Sequence, residues 1–215
     1  MKILEIEPLT AARVSEIVEL DRLCIGGLWT EEAYLREIES SRSSLLSLNI
    51  SDRVGSPSFK VSSTQVPRAT ELCASAHRNS VGVSPKIIGM ACLWAIVDEA
   101  HLTLLAVASE YRRQGLGELL LLTLLKDAIA RKLEWVTLEV NVNNFGAIDL
   151  YKKYGFQVVG TRKGYYQPAG DDASILWLKG IQQSEFQSSL ARWQQDNSDR
   201  LSKNGYFLKQ DRSYC

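Results

Sequence analysis

A mixed α/β (α+β) sheet with helices on both faces is the fold class that the sequence predicts, from three observations. Strand-like and helix-like patterns alternate through residues 87–178 with no internal repeat, and such an alternation builds a sheet covered by helices. A length of 215 residues suits one domain with attachments, or at most two small ones. A composition of 45% hydrophobic and 23% charged residues is that of a chain able to bury a substantial core.

Each element has its own local reason. Residues 3–7 alternate apolar and charged side chains, the pattern of a half-buried strand. Thr10 precedes an amphipathic helical run in which Val14, Ile17, Val18 and Leu20 recur at helical spacing. Thr30, followed by Glu31 and Glu32, reads as a helix start, because acids are favoured in a first turn. Residues 45–50 read as a second strand. Residues 51–85 then mix Ser, Val, Thr, Pro, Gly and Arg without a period; so long a connection is unusual inside a domain, and it reads as an insertion or flexible hairpin extension. A hairpin follows, with strands at 87–97 and 102–107 about the turn Asp98-Glu99. Next come a helix at 118–132, a strand at 135–140, a helix at 145–153 ended by Gly155, and strands at 157–161 and 173–178. Residues 1–178 form the expected domain. The tail, 179–215, reads as one amphipathic helix with Ile181, Phe186, Leu190 and Trp193 on one side, packed on its own domain or available to a partner.

Charge and cysteine usage narrow the function classes. Lys and Arg total 25, Asp and Glu total 25, and this balance argues against nucleic acid or a membrane surface as the main ligand. Residues 1–50 nevertheless hold five basic and nine acidic residues. Cys24, Cys73, Cys92 and Cys215 have no metal-ligand spacing, so free thiols in a reducing, cytoplasmic compartment are expected and no metal is. Only His77 and His101 are present, neither beside a Ser or Cys nucleophile motif. The N-terminus lacks a signal-peptide apolar region, and no stretch approaches the length needed to span a bilayer.

Three segments carry chemistry. Arg112-Arg113-Gln114-Gly115-Leu116-Gly117 opens a helix; two glycines there let backbone amides converge on an anion, with the helix N-terminus and both arginines adding positive charge. It is neither a P-loop nor a dinucleotide-binding fingerprint. Glu139 lies inside an otherwise apolar strand, a costly place for a carboxylate unless it faces a cleft. Partial burial there would make it a better base near neutrality; an edge strand would instead leave it facing water. Tyr151 follows Leu150 near the end of the 145–153 helix, where it either packs in the core or exposes its hydroxyl.

In this order and spacing the segments resemble the GCN5-related N-acetyltransferase (GNAT) superfamily, whose motifs read Q/R-x-x-G-x-G/A and A-x-x-L-Y-x-x-x-G-F; here they are residues 112–117 and 147–156. Within it, the similarity is closest to the bacterial ribosomal-protein-alanine N-acetyltransferases (RimI-type). The resemblance spans about residues 1–50 and 86–178, and it implies splayed strands forming an acetyl-CoA cleft. It assigns Leu105, Ala106 and Val107 to the pantetheine arm. Arg112, Arg113, Gln114, Gly115, Leu116 and Gly117 are assigned to the pyrophosphate, and Asn144 to a cofactor contact from the opposite strand–helix junction. Glu139 matches the general base and Tyr151 the general acid. Asn141 and Asn143 replace the usual Arg and Ser, so a different substrate floor is expected.

The chemistry is compatible with that resemblance. A peptide α-amine, with a pKa of about 7.8, keeps roughly a tenth of its population neutral at pH 7, far more than a lysine at about 10.4. An α-amine therefore asks little of Glu139. The implied activity is acetyl transfer from acetyl-CoA to a protein N-terminus, such as that of a ribosomal protein, with the acidic excess of residues 1–50 suiting a cationic peptide. The alternatives are lysine or small-amine acetylation and a non-catalytic acyl-CoA-binding module.

Overall fold

A computed structural model of the chain describes residues 1–52 and 85–209. Most of the expected insertion, residues 53–84, lies outside the described residues, as do His77, Cys73 and Cys215. In chain order the elements are β1 (Lys2–Pro8), a 3-10 turn (Ala11–Arg13), α1 (Val14–Ile25), α2 (Glu31–Glu39), β2 (Ser43–Asp52), β3 (Lys86–Ile96) and β4 (Glu99–Val107). They continue with α3 (Leu116–Ala130), β5 (Trp135–Asn141), α4 (Phe145–Lys153), β6 (Gln157–Tyr166), β7 (Asp171–Lys179), α5 (Ser184–Lys203) and β8 (Tyr206–Leu208).

Among the described residues the strands form one sheet in the order β6-β7-β5-β4-β3-β2-β1-β8. β1 to β4 pair antiparallel in sequence, β4 pairs parallel with β5, and β7 inserts antiparallel between β5 and β6. Each face buries its own core. One cluster joins the sheet to α3, α4 and α5 through Leu120, Leu124, Leu138, Tyr151, Tyr154 and Leu190. The other joins it to α1 and α2 through Ile17, Leu20, Tyr34, Met90 and Leu104. The mixed sheet with helices on both faces agrees with expectation.

Local signals hold where they were strong. Thr30 caps α2 by accepting the Ala33 N–H at 3.3 Å, and Gly155, at φ +92°, ends α4 in the left-handed region. The tail differs from the expected single helix. After α5 the chain turns at Gly205 and adds β8, parallel to β1, with Lys2, Ile3 and Leu4 opposite Tyr206, Phe207 and Leu208. The strand is only three residues long and completes its hydrogen bonding against the distant N-terminus, so local periodicity gave no sign of it. The apolar side of α5 packs onto the first core, with Leu190 buried and Phe186 and Trp193 half-buried.

Candidate active site

The site begins where two strands part. β4 and β5 pair only at Glu99–Trp135, Ala100–Val136 and His101–Thr137. Immediately afterwards the β3–β4 register shifts: Cys92 faces Leu104 while Leu93 faces Leu102, so Thr103 is an extra residue on β4. A bulge of this kind bends its strand and ends pairing. It also reverses the alternation, since Ala100 and Leu102 pack in the α3 core whereas Leu104 and Ala106 pack in the α1–α2 core. Beyond the bulge β4 and β5 diverge and leave a notch in the middle of the sheet.

The backbone of β4 is oriented for that notch. Ala108 N–H donates to Ile88 carbonyl at 2.9 Å, which makes Val107 and Gly89 a non-hydrogen-bonded pair. The N–H and C=O of Val107, and those of Leu105 two residues earlier, therefore face the open edge. Those of Ala106 face β3. Of the three positions predicted for the pantetheine arm, Leu105 and Val107 offer backbone groups to the cleft and Ala106 does not.

Glu139 sits on the opposite wall, on β5, in the interior of the sheet between β4 and β7. Its side chain is 10% exposed, and its carboxylate lies between His101 Nε2 at 3.2 Å and Arg162 Nη1 at 3.2 Å. Of the two placements open from the sequence, an interior cleft and a water-facing edge, Glu139 takes the interior one, and neither of its partners is marked in the sequence. His101 in turn places Nδ1 2.9 Å from Thr137 Oγ1 and 3.5 Å from Glu99 Oε1. A polar row, Glu99–Thr137–His101–Glu139–Arg162, thus runs from the paired end of β4 and β5 into the notch. A histidine in a strand separated from Glu139 by 38 positions carries no local motif; only the β4–β5 register brings it into contact.

Tyr151 projects from α4 into the α3-side core and is buried, against Phe156 at a ring separation of 5.5 Å. Burial, with Tyr166 nearby, pushes its phenol well above the usual range, so it stays protonated through neutral and mildly alkaline pH. Of the two placements open to Tyr151 from the sequence, the side chain takes the packed one, at 5% exposure. Tyr166 reaches the same region, its hydroxyl donating to Glu139 carbonyl at 3.4 Å, and burial raises its pKa to about 12.

The 112–117 segment enters α3 through two residues with left-handed backbone, Arg113 at φ +62° and Gly115 at φ +93°. Such a path turns successive N–H groups to one side, as an anion-binding nest requires. Arg112 does not extend freely toward that nest: its Nε donates to Val107 carbonyl at 2.9 Å and so ties the loop to β4. Arg113 is exposed and passes over the start of α4, near Gly146. Asn144 caps α4, its Oδ1 accepting from Ala147 N–H at 3.2 Å, which leaves the amide NH2 as its donor. Asn141 Nδ2 donates to Asp171 Oδ2 at 2.9 Å and its Oδ1 accepts from Asn143 N–H at 2.8 Å, so the substituted floor residues brace the end of β5.

On the α1–α2 side, fully buried Asp21 accepts from Leu28 N–H at 2.8 Å, Trp29 N–H at 2.9 Å and Tyr34 hydroxyl at 2.8 Å. It fixes the loop before α2. Trp29 stacks on Trp94 at 5.9 Å, Trp94 stacks on His101 at 6.4 Å, and Trp94 Nε1 donates to Glu37 at 2.7 Å. This aromatic row leads from the surface to His101 and lines a hollow of about 380 Å³ with Ala33 and Arg36. A larger hollow of about 590 Å³ lies between β2, α2 and α3 and contains none of the predicted site residues.

The sequence that builds this site matches one family. The profile of the acetyltransferase (GNAT) family matches residues 56–156. A Bacillus subtilis (strain 168) protein, provisionally named a ribosomal protein bS18-alanine N-acetyltransferase, is 41% identical over 106 residues, which are 48% of this chain and 68% of that one. The chain belongs to the acetyltransferase (GNAT) family. By that membership it is an N-acetyltransferase. A second GNAT relative, the ribosomal protein bS18-alanine N-acetyltransferase of Escherichia coli (strain K12), is 37% identical over 95 residues, 43% of this chain and 64% of that one. The chain thus spans about two thirds of the length of these relatives. Among solved GNAT structures, the Escherichia coli ribosomal-protein-S18-alanine N-acetyltransferase superposes with a TM-score of 0.59 at 25% identity, covering 82% of this chain and 93% of that one.

Proposed function

We propose that the chain transfers the acetyl group of acetyl-CoA to a protein N-terminal α-amine, in the manner named for its bS18-directed relatives. The observation that carries this reading is the parting of β4 and β5 after three residue pairs, with Glu139 on one wall and, on the other, β4 backbone that has no strand partner on that side, its Val107 carbonyl held by Arg112. Acetyl-CoA supplies an activated acyl group as a thioester. Leu105 and Val107 would pair with its pantetheine arm as an added strand. The amides of residues 113–117 would receive the pyrophosphate at the N-terminus of α3, with Arg113 and the amide NH2 of Asn144 at the rim.

Glu139 acts as the base: its carboxylate, held between His101 and Arg162, takes the proton that the acceptor amine sheds, directly or through a water, as the nitrogen bonds to the thioester carbonyl carbon and the carbon–sulfur bond breaks. The Val107 N–H faces the open edge and would stabilise charge on the carbonyl oxygen. Tyr151 gives its proton to the departing sulfur; its raised pKa keeps that proton in place and makes the donation more uphill than the about 2 kcal/mol between an ordinary phenol and a thiol. The acceptor enters past Trp29, Trp94 and Glu37. Glu31, Glu32 and Glu39 are exposed on the same helix and suit a cationic N-terminal peptide such as that of a ribosomal protein. Free Cys24 and Cys92 fit a reducing, cytoplasmic setting.

Thiol release from acetyl-CoA, measured against a panel of N-terminal peptides and an acetyl-blocked lysine peptide, tests the reading. Preferred turnover of a free N-terminus is expected; preference for the lysine peptide would overturn the α-amine assignment, and acceptor-independent binding alone would indicate an acyl-CoA-binding module. Glu139→Gln should lower kcat by about a hundredfold or more while acetyl-CoA binding persists. Unchanged kcat would remove Glu139 from the mechanism.

A further inference from the structure

The loop read as the pyrophosphate site is held from behind by the C-terminal segment. Asn197 of α5, 1% exposed, donates from Nδ2 to Gly115 carbonyl at 3.0 Å, and its Oδ1 is buried without a hydrogen-bond partner. Tyr206 of β8, also buried, donates its hydroxyl to Gln114 Oε1 at 2.5 Å. Asn204 Nδ2 lies 3.4 Å from Gln114 carbonyl. Arg200 pairs with Glu118 in the first turn of α3, and its guanidinium lies 3.1 Å from where a Cβ on Gly115 would stand. Two successive carbonyls and one side chain of the loop are thus engaged by the tail.

The geometry of the peptide unit gives these contacts a consequence. In a trans peptide the C=O of one residue and the N–H of the next point in opposite directions. Holding the carbonyls of Gln114 and Gly115 toward α5 therefore turns the N–H groups of Gly115 and Leu116 away from it, toward the mouth between α3 and α4. Gly115, with its left-handed backbone, has no side chain to resist rotation of these peptide planes. The Leu119 N–H holds the Gly115 carbonyl from within α3 at 3.0 Å. From outside the loop Asn197 adds a second donor to that carbonyl, Asn204 reaches the Gln114 carbonyl, and Tyr206 anchors the Gln114 side chain.

We infer that the α5–β8 segment is a built-in positioning element of the acetyl-CoA site, with Asn197 and Tyr206 as positioning residues that pre-orient the loop amides. The inference rests on the reading of residues 113–117 as the pyrophosphate site. The segment is then not merely a cover for the α3 core: cofactor affinity depends on it. Both residues act only on ground-state binding of the cofactor, so KM for acetyl-CoA should respond and the chemical step should not.

Tyr206→Phe keeps the ring in the core and deletes only the donor to Gln114; Asn197→Ala deletes the donor to Gly115. Each is expected to weaken coenzyme A binding, measured by calorimetry, and to raise KM for acetyl-CoA by about tenfold. kcat and KM for the acceptor peptide should be unchanged, and amide exchange at Gly115 and Leu116 should quicken. Leu190→Ala serves as the control, because it loosens α5 without touching the loop. The inference falls if both variants bind coenzyme A as the parent does, or if Leu190→Ala raises KM equally at a matched fall in Tm. If the parent chain itself binds no coenzyme A, the reading of the loop fails instead.

Discussion

Glu139 was legible as a residue because a carboxylate inside an apolar strand must be explained, and the structure explains it with two cationic or ionisable neighbours. His101 was not legible, since nothing within its own segment marks it and its contact with Glu139 arises from strand register. Its two ring nitrogens bridge Thr137 and Glu139, so His101 fixes the orientation of the carboxylate. Replacing His101 with Gln should lower kcat by about tenfold with KM for acetyl-CoA unchanged, and steady-state kinetics at saturating acceptor would check it. An equal loss of acetyl-CoA affinity would assign His101 to cofactor binding instead. Tyr151 shows the opposite relation: its motif position was plain, yet whether it would pack in the core or expose its hydroxyl depended on how α4 sits on α3, and it packs.

At the scale of elements, the loop before α3 was legible through its order and spacing with the Glu139 and Tyr151 segments, since glycines ahead of a helix are by themselves more often structural. Its conformation explains why Gly115 is glycine: φ is +93° and an added Cβ would meet Arg200 and Asn197 at 3.1–3.2 Å. Gly115→Ala is expected to cost about 1–2 kcal/mol and to lower Tm by roughly 2–8 °C. It should also raise KM for acetyl-CoA; thermal melts alongside kinetics test both. The bulge at Thr103 was hidden, because Leu104-Leu105 reads locally as an uninterrupted apolar strand. β8 was hidden for a related reason: a three-residue strand has too short a pattern to announce itself, and its partner is at the other end of the chain.

Across the whole molecule, the buried phenols set an alkaline limit. Tyr34 and Tyr151 are raised well above the ordinary phenol value, and Tyr166 to about 12, all chiefly by burial. Above a pH of about 10 the unfolded chain has released phenolic protons that the native state still holds, so stability falls as pH rises. The urea midpoint should therefore drop between pH 8 and pH 11, and tyrosinate absorbance should show these phenols titrating late. A midpoint independent of pH over that range would contradict their burial. Net neutrality at the level of composition survives in the structure as local pairing rather than as a featureless surface, with Glu118 shared by Arg200 and Lys153 and Glu139 by Arg162 and His101. By itself the sequence determined the alternating elements, the family, the loop before α3 and the identity of Glu139 and Tyr151 as candidates, because each depends on neighbours within a turn or a strand. Only the tertiary structure decided where β4 leaves β5, which β4 groups face the notch, that His101 meets Glu139, and that the tail grips the loop. Those features join segments far apart in the chain, and strand register and helix docking, not local pattern, determine such contacts.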